Sequence, residues 1–177
     1  MSSIYFHAMK KLASFLLLLS LTGCSALTEN SEIEYNNKIV ESINSASSSL
    51  ENSATLYNEL IPDVVTEITE VDPSQIQVAY DEAISSTESL DDLLQVESGN
   101  IEQQNAVRPA IENYTEAADE YLEAYLSMLE YYSTGTYKTD ITGVKSMDET
   151  LHTAYMAFIQ ANNTLVETLD QFVATEK

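Results

Sequence analysis

Apolar residues recur along this chain at threes and fours, the period of a helix that buries one face. Val40, Ile43, Leu50, Ala54, Tyr57 and Ile61 form a first stripe, with Ser47 in its one gap. Pro62 ends or bends that element. Val64, Ile68 and Val71 continue at similar spacing, as a short helical piece before Asp72. Asp72-Pro73 is a helix start, an N-cap acid followed by proline at the first helical position. Ile76, Tyr80, Ala83, Thr87, Leu90 and Leu94 make the second stripe, which Gly99-Asn100 stops. The third runs Val107, Ile111, Tyr114, Ala118, Tyr121, Tyr125, Met128 and Tyr132. Pro109 lies near its beginning, where a missing N–H is tolerated or kinks the helix. The fourth runs Val144, Met147, Leu151, Tyr155, Phe158, Leu165, Leu169 and Phe172. Residues 133–143 between the last two are the best-marked loop. No long strand-like alternation and no fixed-period repeat is present. The pattern predicts an all-α fold, an elongated antiparallel bundle of about four long helices. Each has roughly 22–32 residues and is about 33–48 Å long.

The first 24 residues read differently. Met9-Lys10-Lys11 is a short positive segment, and Met9 reads as a complete start. Leu12 to Leu21 is an apolar run broken only by Ser14 and Ser20. That layout is a secretory signal, and the run is too short for a span of about 20 residues. It closes on Leu21-Thr22-Gly23-Cys24, which holds the chain's one cysteine. The segment resembles a bacterial lipoprotein signal. The resemblance implies that residues 1–23 are removed and that Cys24 carries diacylglycerol on its sulfur and an acyl group on its new amine. Two or three chains anchor a protein stably where one does not. Ser25 follows the cysteine, where an aspartate would favour inner-membrane retention. In a Gram-negative cell the resemblance therefore implies the outer membrane, facing the periplasm; in a cell with one membrane it implies the outer surface. Residues 24–31 show no sustained periodicity and read as a lipidated tether, with residues 32–177 as a single helical-bundle domain.

Charge narrows the function classes. Lys plus Arg number 7 against 29 Asp plus Glu, a formal charge of −22. Cleavage before Cys24 removes Lys10 and Lys11 and no acid. The few remaining basic residues are scattered, which excludes the clustered cations that nucleic acid and anionic bilayers need. One cysteine rules out an internal disulfide.

Candidate chemistry is sparse. Glu149-Thr150-Leu151-His152 is a single Glu-x-x-His, where a di-iron bundle needs two plus further glutamates. Leu151 occupies the core stripe, so His152 is read as a flank residue, and no metal ligand or cofactor is assigned. No phosphate loop, calcium loop or nucleophile–base set is legible, so no catalytic residue is assigned. The acid pairs Asp91-Asp92, Asp119-Glu120 and Asp148-Glu149 read as solvated surface, since adjacent helix residues do not share a face. Tyrosine is abundant: eleven residues, with five between 114 and 132. A tyrosine buries its ring and keeps its hydroxyl bonded or wet, which suits a bundle core or a ligand groove.

Tyr131-Tyr132, Tyr137-x-x-Asp140, Gly143-x-x-x-Met147-Asp148-x-x-Leu151 and Phe158 resemble the second half of the YiiG-like family of bacterial lipoproteins. Tyr35-Asn36-Asn37-Lys38-Ile39-Val40 and Asn44 loosely resemble its opening helix. The likeness spans most of residues 35–172. It implies a helical lipoprotein domain of unknown function and supplies no catalytic residue. The expected function is a non-enzymatic, membrane-tethered helical domain that binds another envelope component, a protein in the first instance. The alternative is a small-ligand-binding lipoprotein with a tyrosine-rich groove around residues 114–132.

Overall fold

The computed structural model describes residues 31–60, 74–88, 90–95 and 101–172. The signal segment, Cys24, the tether, Pro62, Asp72-Pro73 and Gly99-Asn100 lie outside the described residues. So do the stripe positions Ile61, Val64, Ile68 and Val71.

Among the described residues five helices follow in order: α1 Ser31–Leu60, α2 Ser74–Glu88, α3 Leu90–Leu93, α4 Ile101–Ser133 and α5 Ile141–Asp170. A 3-10 turn, Thr136–Lys138, lies between α4 and α5. The described residues contain no strand. The all-α bundle is therefore observed, with α1, α4 and α5 as its long members at 30, 33 and 30 residues.

The topology follows from side chains that meet across the core. Asn36 meets Gln103, Ser47 meets Tyr114 and Ser53 meets Tyr121, at separations of 67, 67 and 68 residues. A constant separation means that α1 and α4 run parallel and in register. Ser47 also meets Asn162, while Tyr57 meets Asp148, so α5 runs the opposite way to α1. Ser86 bonds Ser49, and Tyr80 stacks near Tyr125, which itself reaches Ser53. Rising through α2 thus descends α1, and the bundle runs up, down, up, down.

Why these stripes pack is plain from their spacing. All eight stripe residues of α4 are buried, and they alternate fours and threes throughout. That mean period of 3.5 suits near-aligned helices with interlocking side chains. In α1 the centre of the stripe falls on Ile39, fully buried, and Val40 is half-buried on its flank. In α5, Ala161 joins the core, while Met147 and Phe172 stay at its edge.

α2 spans 15 residues and the one-turn α3 follows, so the two together cover the second stripe as far as Leu93, with residue 89 between them outside the described residues. The Ser86 hydroxyl donates to the Glu82 carbonyl, and that of Thr87 to the Ala83 and Ile84 carbonyls. α4 continues through Pro109, which sits on its exposed face.

Candidate functional site

The tyrosines define the interior. Tyr114, Tyr121, Tyr125, Tyr131 and Tyr132 are all buried. The face of residues 114–132 expected as a groove alternative is therefore closed over by the other helices. Phe158 lies 5.4 Å from Tyr114 by ring centroid, and Tyr155 lies 5.6 Å from Tyr121. Tyr121 meets the Ser53 hydroxyl at 3.0 Å, and Tyr125 donates to the Ser53 carbonyl at 3.1 Å. The Ser53 proton goes to the Leu50 carbonyl, so Tyr121 is the donor to Ser53. By the same count, Ser47 donates to Asn162 and receives from Tyr114. Burial holds the hydroxyls of Tyr114, Tyr121 and Tyr125 in their protonated form far above the ordinary tyrosine range.

A second polar group sits at the end of the bundle where α4 turns into α5. Gly135 adopts a left-handed φ of 72°, which ends α4 at no cost in side-chain clash. The Asp140 carboxylate caps α5 by accepting from the Gly143 N–H at 2.9 Å. The Tyr131 hydroxyl donates to the Asp140 carbonyl. A β-carbon on Gly143 would lie 2.7 Å from the Tyr131 oxygen and would also strike the Asp140 carboxylate. A larger residue there would have to displace both side chains. Tyr132 packs on Tyr137 at 5.1 Å and on Tyr131 at 5.6 Å. The buried Tyr57 of α1 closes the group, donating to Asp148 Oδ1 at 3.0 Å. Burial raises the Tyr57 hydroxyl strongly, and the adjoining Asp148 carboxylate raises it further. Burial likewise pushes Tyr132 up to about 12, partly offset by the neighbouring Tyr57 hydroxyl. The Tyr132 hydroxyl is buried without a well-formed hydrogen bond.

Asp148 is the correction here. Its sequence pairing with Glu149 marks it as solvated surface, yet it is half-buried and bonded to Tyr57. Four further acids of these pairs lie at the surface as read, and the Asp91 side chain lies outside the described residues. Asp92, Asp119, Glu120 and Glu149 are exposed. Glu149 pairs with Lys145 at 3.4 Å, one turn away, a contact of little energetic weight. His152 is half-buried on the flank of α5. Among the described residues no three His, Cys, Asp or Glu side chains gather as a metal site.

The outer face carries a shallow groove of about 410 Å³ between the α3 end and α4. Glu112, Glu116, Asp119, Glu120 and Glu123 line it, with Leu94 at its wall. The stripe analysis picks out only inward positions, so it does not single out this acidic row.

No family model, characterised protein or solved structure matches the chain.

Proposed function

We propose that this chain is a lipid-anchored protein of a bacterial cell envelope whose helical bundle binds another envelope component without chemistry of its own. The single observation that carries the reading is Leu21-Thr22-Gly23-Cys24, set directly after Lys10-Lys11 and an apolar run. Cys24 is the attachment site. The likeness to YiiG-like lipoproteins belongs to the same proposal.

The bundle supports a display role. Its buried tyrosines Tyr57, Tyr114, Tyr121, Tyr125 and Tyr131 are bonded within the bundle, and the chain is strongly acidic. No helix among the described residues is long and apolar enough to cross a membrane. Anchoring by two or three acyl chains needs no basic patch, and the acidic surface offers none.

The test pairs fractionation with cross-linking in cells. Cys24→Ala moves the protein out of the membrane fraction. Photoreactive residues at the exposed positions Glu116 and Glu123 capture a reproducible envelope protein from the wild-type chain. Membrane retention of the Cys24→Ala protein contradicts the anchor. Turnover of a substrate by the purified protein, with no adduct in cells, contradicts the binding role.

A further inference from the structure

We propose that Tyr57 and Asp148 form a proton-coupled oxidation site, the place where a one-electron oxidant striking this bundle leaves a tyrosyl radical. A phenol oxidised by one electron becomes strongly acidic and must lose its proton, so a positioned base decides which tyrosine reacts. The core tyrosines differ in what receives that proton. Tyr114 and Tyr121 meet serine hydroxyls, and Tyr125 and Tyr131 meet backbone carbonyls. Neither group is a base near neutral pH. Tyr57 meets a carboxylate oxygen at 3.0 Å, within direct transfer distance.

The surroundings fit the role. Tyr57 is 4% exposed, which keeps a radical away from bulk solutes. Asp148 is half-buried, so the proton it takes has a way to solvent. Tyr137, Tyr132 and Tyr131 form a run of rings at 5.1 and 5.6 Å beside this pair, and the Tyr132 hydroxyl lies next to both Tyr57 and Asp148. An electron can leave through those rings from the surface end of the bundle. The step balances. A one-electron oxidant of the peroxyl or hydroxyl radical class is reduced by one electron. The Tyr57 O–H bond breaks, its proton binds Asp148 Oδ1, and a neutral tyrosyl radical stays on Tyr57.

The experiment uses the full lipidated chain in detergent, with photoexcited tris(bipyridyl)ruthenium and persulfate as oxidant. Radical formation is followed by tyrosyl absorption and electron paramagnetic resonance. The wild-type chain gives one dominant long-lived tyrosyl signal. Asp148→Asn keeps a hydrogen-bond acceptor but no base, and slows radical formation by about 100-fold, the lower end of what a positioned proton acceptor contributes. Tyr57→Phe loses the long-lived signal, and Tyr155→Phe keeps it. A long-lived signal that survives Tyr57→Phe, or an Asp148→Asn protein reacting at the wild-type rate, overturns the proposal. The Asp148→Asn rate decides the matter even if Tyr57→Phe fails to fold.

Discussion

The Tyr114 hydroxyl lies 2.8 Å from the Ser47 hydroxyl, across 67 residues of sequence, and both are buried. Ser47 is the one polar position in the first apolar stripe. The bond gives the reason: a small hydroxyl residue leaves room for a tyrosine arriving from the opposite helix and accepts its proton. Ser47→Ala strands the Tyr114 hydroxyl, whose remaining contact to the Ile43 carbonyl is long at 3.5 Å. The expected loss is about 1–3 kcal/mol, the range for an unsatisfied buried polar group. Tyr114→Phe combined with Ser47→Ala restores part of it. Denaturant unfolding of the single and double variants reads both values.

The buried tyrosines make the bundle sensitive to alkali. Their folded-state values are raised, to about 12 for Tyr132 and Tyr155, first by burial. A raised value means that the folded state holds its proton more tightly than the unfolded chain. The stabilisation is complete below the unfolded tyrosine value, about 10, and is lost as pH rises beyond it. Each pH unit in that window costs up to about 1.4 kcal/mol per tyrosine. Circular dichroism is expected to show cooperative unfolding together with phenolate absorption as pH rises from about 10 through about 12.

Glu51 makes a smaller test of the same sign at lower pH. It is half-buried on α1, and burial raises its carboxyl above the ordinary range. Ionised Glu51 therefore opposes folding as pH rises through that raised value. Glu51→Gln is expected to raise the melting temperature slightly at neutral pH. The gain shrinks when the melt is repeated in acid, where both side chains are neutral.

The two glycines of the α4–α5 turn separate two causes of destabilisation. At Gly135 an added β-carbon meets nothing within 4 Å, and only the left-handed φ of 72° opposes it. Gly135→Ala should cost about 1–2 kcal/mol. At Gly143 the added carbon strikes the capping carboxylate of Asp140 and the Tyr131 hydroxyl. Gly143→Ala should cost more than Gly135→Ala, and chemical denaturation ranks them.

The sequence carries the fold through α4 and α5 almost residue by residue. Their stripes place bulky apolar and tyrosine side chains on a strict helical period, so burial and periodicity agree. The polar members of the core are less legible, because a stripe records only polarity: Ser53 is buried and bonded to Tyr121. The site shows the same division. Tyr131, Tyr137, Asp140, Gly143 and Asp148 are visible as a spaced set, yet the link from Tyr57 to Asp148 spans 91 residues. Nothing local in either stretch marks that bond. Asn36 and Gln103 illustrate it again: two amides that belong to no apolar stripe meet at 2.7 Å inside the core.

The central claim is the anchor at Cys24, and the intact mass of the protein extracted from membranes tests it most directly. The account predicts a chain beginning at Cys24, heavier than its residues by a diacylglycerol and an amine-linked acyl group. A chain that retains the residues before Cys24 and carries an unmodified thiol contradicts it.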